Sequence, residues 1–474
     1  MKHILIFLFF FLLSLSFAQN YNFNTIDDIN ILLNDSFFKR CQIGIDVYNL
    51  TKKEVVFKHN EKLLFRPASN MKILTTATAL YFLGPEFDFK TEIKTDGEIK
   101  DSVLKGDLYF IGGFDPDFTT NDLDTMILSL KQQGIKKIDG NLYADISNMD
   151  SLFWGNGWMW DDDPYSDFPY MTPLIINDAC VKVIVSPGNI GEKANIQIIP
   201  DVDFFKFENE IVTVDNDTTD LTVSRNWIER SDSLILKGGF YVNAKSDTTK
   251  INIVNSTQYF LALAKKSLRK NKITFSGECK IVKSPNNIKT LVIKERPFSQ
   301  VIVNLNKTSD NLSAEMTLRA LAFAMEKKPA SAKKGIKWVD SLITLVGLNP
   351  KDYRIVDGSG VSHYNLVSVE LLDEVLIYMY RYYPELFKVL YNSFPIAGVD
   401  GTLKSRMKNT AAYNNVHAKT GTLSGVSSLS GYLNSKNGDL ISFSINTQNF
   451  VGSASRAREY QDRICEILAN LEFK

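Results

Sequence analysis

Apolar residues change their spacing several times along this chain of 474 residues. The stretch Asn24–Leu33 has the rhythm of a short amphipathic helix. Cys41–Leu50 then alternates through Ile43, Ile45 and Val47, turns at Thr51-Lys52-Lys53, and continues as Glu54–Lys58, which predicts a β-hairpin. Between Pro67 and the stop at Gly84-Pro85 the chain is apolar on nearly every side. That pattern predicts a helix buried in a core, with Pro67 at its start.

From about Phe87 to Lys294 helical periodicity nearly vanishes. Short strands are expected at Leu104–Ile111, Gly140–Asp145, Ala179–Val185, Asn195–Ile199, Leu221–Arg225 and Ser233–Leu236, with one clear helix at Ser256–Lys270. The acidic stretch Asp201–Asp232 points to a further strand-rich lobe nested within this region, near 170–245. Helices return at Phe298–Asn306, Ser313–Glu326, Ile336–Val346, Val369–Arg381 and Glu385–Leu390. Strands follow at Val416–Gly421, Ser427–Leu433 and Leu440–Asn446, the last two joined across an Asn437-Gly438 turn, and a helix over Ala454–Leu471 ends the pattern. The expected fold is α+β: an antiparallel sheet flanked by helices, formed by 19–86 together with 295–474, and interrupted by a β-rich insertion over 87–294.

Charge narrows the function by exclusion. Lys plus Arg equals Asp plus Glu, 54 each, so bulk charge favours neither nucleic acid nor an anionic membrane. Met1-Lys2-His3, the apolar run Ile4–Leu15 and Ser16-Phe17-Ala18 before Gln19 read as a signal peptide over 1–18. The run is short for a membrane span, and no cysteine follows the cleavage point, so a soluble, exported, periplasmic protein without a transmembrane anchor is expected. Cys41, Cys180, Cys279 and Cys465 lack metal-type spacing, and sequence does not pair them; buried free thiols are expected for at least two. His-Glu-x-x-His and Gly-x-Ser-x-Gly are both missing, which argues against a zinc peptidase and an α/β-hydrolase; no cofactor or metal is expected.

The buried helix carries Ser69 and Lys72 in its first turn, three residues apart and on one face. A desolvated lysine loses charge and could take the serine proton, leaving a nucleophile. Ser-x-x-Lys alone is common, recurring at Ser102, Ser267, Ser331 and Ser405. Two later motifs give it weight: Ser309-Asp310-Asn311 between two predicted helices, and Lys419-Thr420-Gly421 opening an edge-type strand. In that order the set is the one found in β-lactamases and penicillin-binding proteins.

The surrounding residues narrow the resemblance. Lys307–Glu315, Asp357-Gly358-Ser359-Gly360-Val361-Ser362, Pro395–Leu403 and Ala418–Val426 resemble the low-mass class C penicillin-binding proteins, serine D-alanyl-D-alanine carboxypeptidases and endopeptidases whose transpeptidase-like domain is split by a large insertion. The insertion itself matches mainly at Gly106–Pro116 and Gly157–Asp162. The resemblance implies cleavage of peptidoglycan stem peptides and inhibition by β-lactams. On chemical grounds Ser69 is the expected nucleophile, and Lys72 its base, with a pKa lowered by burial and by Lys419. Ser309 is the expected proton relay, and Asn311 the expected holder of Lys72 and the substrate amide. Lys419 and Thr420 are expected at the substrate carboxylate, with Gly421 letting substrate approach. The resemblance further implies an oxyanion hole from the N–H groups of Ser69 and Thr422. Asp162, beside Trp158 and Trp160, is the expected acceptor of a free amine on the stem peptide. His417 reads as structural or solvent-facing, His363 as a surface residue and Ser359 as a turn residue. The rival readings are a β-lactamase of the same fold and a wall-binding module without catalysis.

Overall fold

The computed structural model describes residues 25–217 and 220–473; the expected signal peptide lies outside them. A five-stranded antiparallel sheet draws its strands from both ends of the chain. They are β1 (Gln42–Asn49), β2 (Glu54–His59), β3 (His417–Leu423), β4 (Val426–Asn434) and β5 (Leu440–Gln448), in the spatial order β3-β4-β5-β1-β2. β3 is thus an edge strand. Four helices bear on the site: α1 (Met71–Leu83), α2 (Asn311–Glu326), α3 (Val369–Tyr382) and α4 (Ser455–Asn470).

The two faces of the sheet differ in chemistry because side chains alternate along each strand. On one face Leu429 pairs with Ile445 and Ile445 with Ile45, while Gly431 pairs with Phe443 and Phe443 with Val47. These residues pack against Tyr460, Ile464, Ile467 and Leu468 of α4. Each buried aliphatic side chain there stabilises the fold by about 1.5–3 kcal/mol. The opposite face carries Ser428, Ser430, Ser442, Ser444 and Asn446, all buried. Short hydroxyl side chains let backbone approach closely and give it partners. Ser428 Oγ donates to the Pro67 carbonyl at 2.7 Å, Asn446 Nδ2 to the Arg66 carbonyl at 2.9 Å, and the Asn70 amide binds Ser430 Oγ at 2.7 Å. α3 covers the rest of this face, and the Tyr432 hydroxyl donates to the Leu376 carbonyl at 2.9 Å.

α1 is buried from Met71 to Leu80 without interruption, as its all-round apolar pattern predicts, and Gly84 at φ 80° closes it. It begins later than Pro67 suggests. A 3₁₀ turn over Ala68–Asn70 precedes it, with Ala68 at φ 48°. The hydrogen bonds from the sheet hold this turn off the helical path. A non-glycine residue at positive φ is costly and persists where its surroundings impose it, commonly at functional sites.

The region between α1 and the helix Phe298–Lys307 forms four further sheets. One five-stranded sheet joins Asp88–Thr95 to Leu108–Ile111, Leu142–Asp145, Cys279–Ile281 and Lys289–Pro297. Two three-stranded sheets are built from strands between Cys180 and Asn252. The expectation of one helix here needs correction, because a second runs over Thr120–Gln132. It buries Leu123, Met126, Ile127 and Leu130, and a capping box between Thr119 and Asp122 starts it. Among the described residues no helix is long and apolar enough to cross a membrane. All four cysteines are free thiols, Cys180 and Cys465 buried.

Candidate active site

Ser69 is presented by the 3₁₀ turn, Lys72 by the first turn of α1. The Lys72 ammonium lies 3.0 Å from Ser69 Oγ, 2.7 Å from Asn311 Oδ1 and 2.8 Å from the Ser359 carbonyl. Those contacts account for its three donors. Lys72 is fully buried, and desolvation lowers its pKa from 10.5 to about 8. The carboxylates of Asp310, Asp357, Glu315 and Asp167 oppose the shift. Lys419, expected to help, is itself held well below the usual lysine range, by burial first and then by Lys72.

The second motif joins the third. Ser309, at φ 65°, accepts a hydrogen bond from the Lys419 ammonium at 2.8 Å, and Lys419 also donates to the Thr420 carbonyl at 2.8 Å. Asp310 caps α2 by accepting the Ser313 N–H at 2.6 Å. Asn311 accepts from Lys72 but gives its Nδ2 to the Asp167 carbonyl at 2.8 Å, so its donor side meets the insertion where the substrate amide was expected. A cleft of about 580 Å³ is lined by Ser69, Ser309, Asn311, Thr420, Gly421 and Thr422 among others. Lys72 and Lys419 stand behind this lining.

Gly421 lines the cleft, and its missing side chain also has a structural consequence. A Cβ there would come within 2.9 Å of the Pro67 carbonyl and of the Ser69 nitrogen, and 2.2 Å of Ser428 Oγ. The missing side chain makes room for the turn that presents Ser69. Gly360 does the same from the other side: at φ 84°, an added Cβ would sit 1.8 Å from the Ala68 carbonyl. Together they seat the turn that holds Ser69.

Asp162 is not brought to the cleft lining. Its Oδ2 accepts the Met159 N–H at 2.7 Å, capping a short 3₁₀ turn. A carboxylate at the third position of a turn can reach back to the N–H of the residue before the turn, which is the arrangement Asp162 adopts with Met159. The insertion reaches the cleft through Asp167 and Phe168 instead. Trp158 is buried, and its indole donates to Asp357 Oδ2 at 3.2 Å, whereas Trp160 is exposed and lies against Trp227. His417 stacks on Tyr391 with ring centroids 4.1 Å apart. His363 is half-buried beside Arg66, at 3.4 Å.

Three contributors leave little trace in the motifs. Ser359 acts through its backbone carbonyl, which anchors Lys72. Glu315 fixes that carbonyl's turn: its Oε1 accepts the Gly358 and Ser359 N–H groups, both at 2.9 Å, and its Oε2 pairs with Arg319 at 2.7 Å. Asp357 accepts the Gly360 and Ser362 N–H groups at 2.9 and 2.7 Å; burial, and then Glu315, raise its pKa to about 6. Glu315 does stand in the stretch after Asn311, three residues beyond Leu312, where an inward helix face could have flagged it.

A serine hydroxyl facing a buried, partly discharged lysine, at the edge of a transpeptidase-like sheet, defines a serine acyl-transfer hydrolase. The chain belongs to the D-Ala-D-Ala carboxypeptidase 3 (S13) family, whose model matches residues 26–471. It is 29% identical to D-alanyl-D-alanine carboxypeptidase DacB of Haemophilus influenzae over 442 residues, covering 91% of this chain and 90% of that protein. The crystal structure of penicillin binding protein 4 (dacB) from the same organism superposes with a TM-score of 0.84 at 27% identity, covering 93% of this chain and 99% of that one. Its complex with a novel β-lactam superposes with a TM-score of 0.77 at 26% identity, covering 92% and 98%.

Proposed function

We propose that this protein is an exported, periplasmic serine D-alanyl-D-alanine carboxypeptidase that acts on peptidoglycan stem peptides through a Ser69 acyl-enzyme and is inhibited by β-lactams. The observation that carries the reading is the 3.0 Å contact between Lys72 Nζ and Ser69 Oγ, with Lys72 fully buried. Uncharged Lys72 takes the Ser69 proton as Oγ attacks the carbonyl of the penultimate D-alanine. The tetrahedral oxyanion is received by the N–H groups of Ser69 and Thr422, and losing one such donor typically costs about 3 kcal/mol of barrier. The C–N bond then breaks, and the leaving amine takes its proton through Ser309, whose hydroxyl is held by Lys419. Water attacks the ester in the same geometry, releases the shortened peptide and restores Ser69. A cross-link offers the same bond with a larger leaving amine, so D,D-endopeptidase action needs no further group.

Mass spectrometry after incubation with benzylpenicillin should show an adduct on the Ser69 peptide, and a diacyl-L-Lys-D-Ala-D-Ala peptide should release D-alanine. No adduct in the wild type, or an adduct that persists in Ser69→Ala, would overturn the reading.

A further inference from the structure

The cleft contains a cation that none of the three motifs supplies. Lys419 directs its ammonium at Ser309 Oγ and the Thr420 carbonyl, is fully buried and stands behind the cleft lining. A substrate carboxylate arriving in the cleft meets Ser309 and Thr420 first. The positive side chains that do line it are Arg406 and Arg458. Arg406 is committed: its Nε and Nη2 hold Asp462 at 2.9 and 2.6 Å, and its Nη2 also reaches Gln461 Oε1 and the Arg458 carbonyl. Arg458 is exposed, and its Nη2 donates to Thr422 Oγ1 at 3.0 Å. Among the described residues no carboxylate forms an ion pair with it. The acids that follow it on α4 form their ion pairs with other residues, Asp462 with Arg406 and Glu459 with Arg463, and only the field of Arg458 bears on Asp462. Thr420 is linked to Thr402 by a 2.7 Å hydroxyl contact. A guanidinium with open donors and a row of hydroxyls therefore border one end of the cleft.

We propose that Arg458, held at the cleft by Thr422, binds the C-terminal carboxylate of the substrate, with the Thr420 and Thr422 hydroxyls completing the pocket. The planar fork of arginine suits a carboxylate, and the α4 backbone, braced by Arg406, sets its direction. Lys419 is then left to orient and polarise Ser309. Arg458 is a specificity residue: it selects peptides that end in a free carboxylate. This assignment rests on the Ser69 reading, and the test separates the two.

Turnover of diacyl-L-Lys-D-Ala-D-Ala and of its C-terminal methyl ester should be compared in the wild type, Arg458→Gln and Arg458→Lys. A charge-assisted hydrogen bond is worth enough for Arg458→Gln to lower kcat/KM for the acid about 10- to 100-fold, mostly through KM. The ester should change less than about threefold, and Arg458→Lys should recover part of the loss. Because both substrates report on the same preparation, their ratio does not depend on the fraction folded. An unchanged ratio, or equal losses on acid and ester, would overturn the role of Arg458 while leaving the penicillin adduct on Ser69 intact. Absence of that adduct in the wild type would instead overturn the Ser69 reading.

Discussion

If Lys72 removes the Ser69 proton, acylation must follow the fraction of Lys72 that is uncharged. With a pKa of about 8, that fraction is about 9% at pH 7 and about 90% at pH 9. A lysine at 10.5 would be uncharged only about 0.03% of the time at pH 7, so burial raises the supply of base about 300-fold. The second-order rate of acylation by a fluorescent penicillin should therefore climb about tenfold from pH 7 to pH 9 and level off beyond. Stopped-flow measurement across that range gives the profile directly. The half-buried His363 and His417 both titrate below 6.5, because burial disfavours their charged forms, so neither shapes the rise. Lys419 is the competitor, since its pKa is lowered too. Lys419→Arg keeps a positive charge that does not titrate, and the rise should persist in it. Lys72→Ala should lose about 10²–10⁴ in rate together with the rise itself. A flat profile between pH 7 and 9 in the wild type, or a rise that survives in Lys72→Ala, would refute Lys72 as the base.

Two further substitutions probe the frame around the nucleophile. Gly421→Ala places a methyl 2.9 Å from the Ser69 nitrogen, so penicillin acylation should fall at least about tenfold while circular dichroism stays unchanged; an unaffected rate would show that the turn is not wedged there. Asp373 is fully buried, and burial, then the charge of Asp46, raises its pKa well above 3.8. Because the folded value lies above the unfolded one, its contribution is full below about pH 4 and is lost as pH rises through the folded value. Asp373→Asn should thus equal the wild type near pH 4 and exceed it at pH 8, as read by urea denaturation; the reverse order would refute the assignment.

What the sequence revealed and what it hid divide along physical lines. Ser69 and Lys72 are legible because a helical turn fixes residues three apart, and Lys419-Thr420-Gly421 because alternation marks its strand. The buried serines of β4 and β5 were read as strand, but their service to Arg66, Pro67 and Asn70 depends on partners far along the chain. Ser359 escaped because the contributing atom is a carbonyl, which every residue has. Asp162 lies outside the cleft lining, and its use as a turn cap depends on local geometry that a run of three acids does not reveal. The helix Thr120–Gln132 was legible in principle: Leu123, Met126, Ile127 and Leu130 keep helical spacing, but the strand-rich surroundings masked it.

The sheet that shapes the Ser69 turn also determines when the site can be complete. Asn70 is separated from Ser430 by 360 positions, and Lys72 from Asn311 by 239. During synthesis, Ser69 and Lys72 emerge early and wait for the strands that bend their turn and for the loop that carries Asn311. A chain cut short before β3 keeps Ser69 and Lys72 but lacks Lys419 and the sheet partners of the turn, and should form no penicillin adduct. On the proposed function, labelling by a β-lactam would therefore report finished assembly, since the site is complete only when the last strands have closed the sheet.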